Sequence, residues 1–147
     1  MTFGKIFNRA LFVSIDDRTL LNGEKMPKFL IVDDSNMLRN MMKYALSEKG
    51  YSNITEAEDG VDALKKANST VFDIIITDIN MPNMGGFDLI EALRKLPAYT
   101  KTPILALTTE NKDDIKAKGK AVGATGWIVK PFIPEQLLKA VTIVLSR

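Results

Sequence analysis

A chain of 147 residues, 46% hydrophobic and 26% charged, has the balance of one globular domain and the length to bury a core without staples. Its formal charge of +2 makes no electrostatic case for nucleic acid, and no apolar run reaches the length of a membrane span or secretory signal, so a soluble cytoplasmic protein is expected. With neither cysteine nor histidine, the sequence excludes disulfides, thiolate and histidine-activated nucleophiles, cysteine or histidine metal ligands and a phosphohistidine of its own.

Residues 1–26 stand apart from the rest of the chain. Phe3, Ile6, Phe7, Ala10 and Leu11 have the spacing of a short amphipathic helix, which runs into the polar stretch DDRTLLNGEK. The segment is expected to be an appendage, helical or disordered, with Met26 as an alternative start and the domain proper over 27–147.

From Phe29 onward short β-rich apolar runs alternate with longer segments of helical spacing. FLIV (29–32) reads as the first strand; Ser35 caps a helix to about Lys49, which Gly50 ends. NITEA (53–57) and a helix over 61–68 come next, then FDIIIT (72–77) and a helix over 87–95. ILALT (104–108) precedes a helix over 112–122, and GWIV (126–129) precedes a last helix that begins at Pro134, where proline is tolerated in the first turn. Five β-then-α units in series predict a doubly wound α/β domain, because parallel strands need right-handed crossovers that place helices on both faces. In such sheets ligands sit beyond the carboxyl ends of the strands, where the strand order reverses.

The chemistry-bearing residues fall at those ends. Asp33 and Asp34 follow the first strand, Asp78 follows the third, Thr108 ends the fourth and Lys130 follows the fifth. Three carboxylates brought together repel and raise one another's pKa unless a cation sits among them. Magnesium suits the site, since it takes oxygen ligands, binds one or two carboxylates directly and keeps several waters. Each residue alone has an ordinary explanation: a helix cap at Asp34 or Ser35, a turn at Asp78 before INMPNMGG, a β-branched strand residue at Thr108, a surface charge at Lys130. Carboxylates, a hydroxyl and an ammonium at the ends of four strands are not explained one by one. At Lys130-Pro131 a trans bond that ends the strand is the common case, whereas a cis bond would aim Lys130 back across the strand ends.

On these residues the sequence resembles a response-regulator receiver domain. The resemblance spans residues 28–146 and rests on VDDS after the first strand, TDINMPNMGGFDLI around Asp78, ALTTE at the fourth strand and GATGWIVKPF at the fifth. It implies a flavodoxin-like receiver fold, five parallel strands in the order 2-1-3-4-5 with five helices. It further implies that Asp78 accepts a phosphoryl group from the phosphohistidine of a sensor histidine kinase. Asp33 and Asp34 would position Mg2+ together with Asp78 and the backbone carbonyl of Asn80. Lys130 would pair with a phosphoryl oxygen and Thr108 would donate its hydroxyl to one. Trp127 stands where receivers carry a switch aromatic, usually Tyr or Phe, and its greater bulk sets it apart from that pattern.

The resemblance implies a switch protein with self-catalysed phosphorylation and dephosphorylation, not a conventional enzyme. Asn80, two residues past the acceptor, is where tuning of phosphoryl loss is expected. After Lys130 one helix remains before Arg147, so output is expected through binding. PILALTTE and KGKAVGATGWIVKPF most resemble stand-alone chemotaxis response regulators, which act on the flagellar motor switch. A face with Lys112, Lys116, Lys120 and Trp127 is the expected output surface. The alternatives are a receiver that serves as phosphate sink or scaffold, and an aspartyl-phosphate phosphatase. The latter places its nucleophile in D-x-D after the first strand, where this chain has an adjacent pair. A dinucleotide-binding domain is disfavoured because no G-x-G-x-x-G follows the first strand.

Overall fold

The computed structural model describes residues 26–146. The amphipathic pattern expected over residues 3–11 lies outside them.

The first strand, β1 (Phe29–Val32), is buried throughout and leads into α1 (Asn36–Glu48). Ser35 Oγ accepts the Leu38 amide at 3.2 Å, so the cap is Ser35 and not Asp34. The helix ends at a Lys49 cap followed by Gly50 at φ +89°. Then come β2 (Ile54–Ala57), α2 (Gly60–Ser69), β3 (Ile74–Asp78) and α3 (Gly86–Arg94). A 3-10 turn at Pro97–Tyr99 precedes β4 (Ile104–Thr108), α4 (Asp113–Val122), β5 (Gly126–Val129) and α5 (Pro134–Leu145).

All adjacent strands pair in parallel, in the order β2-β1-β3-β4-β5. Side chains alternate across the sheet and divide the core. Phe29 and Ile31 join Met42, Leu46, Leu137 and Val141 on the face covered by α1 and α5, while Leu30 and Val32 join Ala63, Leu89, Ile90 and Leu93 on the face covered by α2 and α3. The inner strands β1, β3 and β4 are buried on both faces, which is why they read as unbroken apolar runs.

The third strand starts two residues later than the sequence suggests and includes Asp78 as its last residue. Phe72 leaves the ladder, its amide donating to the Tyr99 hydroxyl at 3.2 Å, and Asp73 accepts the Lys28 amide through its side chain at 2.8 Å. Far from the acidic residues, Arg94 donates to the carbonyls of Tyr99, Thr102 and Gly123 and ties α3 to the segments that lead into β4 and β5. These pairings fix the amino end of the sheet. The chemistry is left to the other end.

Candidate functional site

Strand order reverses between β1 and β3, and the register pairs Val32 with Thr77. The next residue of each strand is therefore an aspartate, Asp33 beside Asp78. Both are buried, whereas Asp34 faces solvent. One carboxylate oxygen from each of Asp33, Asp34 and Asp78 lies within 4.8 Å of the others. The Asp33 side chain also accepts the Ser35 amide at 2.9 Å, and Arg39 Nη1 donates to the Asp33 carbonyl at 2.6 Å. Arg39 is itself paired with Glu56 at 3.0 Å, so the turn that presents the acidic pair is anchored to β2.

Lys130 follows β5, its amide donating to the Thr108 carbonyl at 2.7 Å. Its ammonium lies 3.2 Å from Asp33 Oδ2 and 3.1 Å from Asp78 Oδ2. The Lys130-Pro131 bond is cis, against the commoner trans alternative. Burial pushes the Asp78 carboxyl above the usual range, and the nearby Asp33 charge adds to this, with Lys130 only partly offsetting it. For Lys130 burial works downward, but the charges of Asp78 and Asp33 outweigh it and hold the ammonium protonated above its ordinary value. Lysine so placed partly neutralises the cluster and leaves more negative charge than it cancels.

The donor set fits a hard divalent ion. Two buried carboxylates and an exposed one offer oxygen ligands of the kind Mg2+ takes, and the exposed side leaves room for retained waters. Asn80 stands two residues beyond Asp78, its amide 3.4 Å from Asp78 Oδ1. Thr108 ends β4 almost fully buried, its hydroxyl accepting the Glu110 amide at 3.0 Å. A cavity of about 260 Å³ opens beside these groups, lined in part by Asn80, Thr108, Glu110 and Lys118.

Trp127 pairs with Ala106 across the β4–β5 ladder and packs half-buried on the core face of α2 and α3. Its six-membered ring lies against Gly119 of α4: a Cβ built there would stand 2.5 Å from Cη2 and 2.6 Å from Cζ3. The bulk that distinguishes tryptophan from tyrosine is thus accommodated by a glycine in the facing helix. The sequence pattern points to Trp127 and not to Gly119; the available signal was a glycine inside a helical segment, KAKGKAV, where it weakens the helix.

Parallel order, acidic cluster, terminal hydroxyl and bridging lysine together define a class of protein, and the chain belongs to it: residues 29–142 match the response regulator receiver domain family. Within that family its relatives include chemotaxis proteins. It is 38% identical over 120 residues to the chemotaxis protein CheY of Pseudomonas aeruginosa, covering 82% of this chain and 97% of that one. It is 40% identical over 121 residues to CheY1 of Helicobacter pylori, covering 81% and 97%. The solved structure of the chemotaxis response regulator CheY4 of Vibrio cholerae superposes with a TM-score of 0.78 at 51% identity, covering 82% of this chain and 99% of that chain.

Proposed function

We propose that this protein is a magnesium-dependent phosphorelay switch of chemotaxis, in which Asp78 accepts a phosphoryl group from a sensor histidine kinase. The observation that carries the reading is the Lys130 ammonium lying within 3.2 Å of carboxylate oxygens of both Asp33 and Asp78 at the strand-order reversal. Phosphoryl transfer needs little covalent chemistry from a protein; it needs a placed acceptor and fixed positive charge around the transferred group.

The chain supplies these. The N–P bond of the donor phosphohistidine breaks as the bond from an Asp78 carboxylate oxygen to phosphorus forms, giving an acyl phosphate. Lys130 is placed to bind one phosphoryl oxygen, and Thr108 can turn its hydroxyl from the Glu110 backbone to another. Asp33, Asp34, Asp78 and the Asn80 carbonyl would hold Mg2+, which when bound neutralises charge on the transferred group and its acceptor. Loss of the phosphoryl group by hydrolysis returns the switch, and Asn80, in the lining of the adjoining cavity, is the residue proposed to tune water access.

Output is read as binding, through α4, β5 and α5 to the flagellar motor switch. A groove of about 260 Å³ lined by Lys116, Lys120, Ala124, Thr125, Gly126 and Trp127 supports a recognition role for this face, and Lys112 is exposed at the start of α4. No helix among the described residues is long and apolar enough to cross a membrane, which accords with a cytoplasmic setting.

Intact mass after incubation with acetyl phosphate and magnesium tests the chemistry. One phosphoryl adduct is expected on the native protein, and none on Asp78→Asn or after chelation. An adduct surviving in Asp78→Asn would remove Asp78 from the role. Binding to isolated flagellar switch protein, expected to strengthen on phosphorylation, tests the output; phosphorylation without such binding would favour a phosphate sink.

A further inference from the structure

The segment between β3 and α3, residues 79–85, carries Asn80 and has no regular structure. It is held from outside. Asn83 lies at φ +68°, a left-handed conformation uncommon for any residue with a side chain, and its Nδ2 donates to Asp59 Oδ2 at 2.6 Å. The other oxygen of Asp59, Oδ1, accepts the Asp62 amide at 2.8 Å and caps α2. One carboxylate thus serves a helix end and a loop 24 residues away. The Asp62 amide and Asn83 hold its pKa below the usual carboxylate range, so it is ionised at neutral pH.

A second contact reinforces the first. The Gly60 amide donates to the Met84 carbonyl at 3.1 Å, and a Cβ on Gly60 would stand 2.6 Å from both that oxygen and Met84 Cγ. At its end the loop closes on β3: the Gly86 amide donates to the Ile79 carbonyl at 2.9 Å, and a Cβ on Gly86 would run into the Asp78 carbonyl. A loop tied at both ends and clasped in the middle has little freedom left. A backbone carbonyl placed in advance binds a cation without the entropic cost of ordering it.

We propose that Asp59 and Asn83 form a clasp that positions the β3–α3 loop, and with it the Asn80 carbonyl, for the metal of the phosphoryl-transfer site. The inference rests on the magnesium reading above and adds two positioning residues to it. Asp59 lies outside the acidic trio and acts only through the loop.

The test uses the full chain and two readouts, Mg2+ affinity by titration calorimetry and, without metal, hydrogen exchange of the Gly60 amide that bonds to Met84. Asn83→Gly keeps the left-handed turn and removes the amide; it is expected to weaken Mg2+ binding about three- to tenfold, at or below the low end of outer-shell effects on metal sites, and to speed Gly60 exchange. Asp59→Asn keeps one oxygen for the Asp62 amide and puts an NH2 donor in place of the other; a flipped Asn83 amide can accept from it, so the bond is retained and Mg2+ affinity is expected to stay within about twofold of the native protein. Asp59→Ala combined with Asn83→Gly should weaken Mg2+ no further than the stronger single variant, because the two act through one bond. Native Mg2+ affinity in Asn83→Gly overturns the proposal, whether or not exchange changes. If the native protein binds no Mg2+, the metal reading fails and the positioning role with it, while exchange still reports whether the clasp holds the loop.

Discussion

Where β1 and β3 end, two buried aspartates share one lysine and the turns around them are bonded to neighbouring strands and helices. Where α4 meets the sheet, a helix of 10 residues has a single buried position, Gly119, resting on the indole of Trp127. The contrast is one of stored charge against light packing. The acidic end holds groups that repel, kept in place by a well-packed sheet; the flank holds few contacts, so a small change in free energy can move it. A switch needs both, because a charge added at the first must be able to shift the second.

The largest expected effect comes from removing the lysine. In Lys130→Ala the two buried carboxylates lose their shared cation, which should destabilise the metal-free protein by about 3 kcal/mol, as when one partner of a buried ion pair is deleted. Chemical denaturation with and without Mg2+ checks this, and added metal should return much of the loss. A near-native midpoint without metal would mean the charges are screened already.

Asp78→Asn should act in the opposite direction, raising metal-free stability by about 1 kcal/mol, in keeping with the stability that functional groups commonly sacrifice. The pH dependence comes from the raised carboxyl pKa. Between the ordinary value of 3.8 and the raised folded value the native state binds more protons than the unfolded one, so native stability falls as pH rises through that window. The advantage of Asp78→Asn should therefore be small below pH 3.8 and grow toward neutrality. Thermal melts across pH measure the gap, and a gap that does not change with pH would contradict the burial and Asp33 repulsion argued here.

On the flank, glycine to alanine inside a helix ordinarily stabilises by roughly 0.5–1 kcal/mol. Gly119→Ala should instead cost about 1 kcal/mol, because the new methyl meets the Trp127 ring, and Trp127→Phe in the same chain should restore the ordinary gain. The emission of the single tryptophan reports displacement of the ring directly. A simple gain in Gly119→Ala would show that the ring yields freely. Smallest of all, Lys112→Glu at an exposed position and Lys116→Glu at a half-buried surface position should change stability by no more than about 0.5 kcal/mol, while weakening binding to the proposed motor switch partner. Unimpaired binding would move the output surface elsewhere.

Most of the acidic end was legible in the sequence. Asp33, Asp34, Asp78, Thr108 and Lys130 announce themselves by falling at strand ends, and the strands announce themselves as apolar runs. The contacts that were not legible lie in pairs whose members look ordinary alone. Arg94 looks like a charge at a helix end, yet its guanidinium binds three carbonyls, and the buried Tyr99 hydroxyl has its one proton within reach of both the Ala67 and Thr70 carbonyls. Asp59 caps α2 through one oxygen, and nothing local in the sequence says that Asn83 holds the other.

The sequence by itself determined the succession of strands and helices and the chemical kinds at the strand ends, because side-chain period, caps and turn residues act over a few positions of chain. Tertiary structure decided which strands became neighbours. Only with β1 beside β3 does Asp33 stand next to Asp78, and only with β5 in place does Lys130 reach across 97 positions of chain to Asp33. Such contacts depend on how faces bury against one another, and Gly119 makes room for Trp127 only because α4 settles where the indole leaves space.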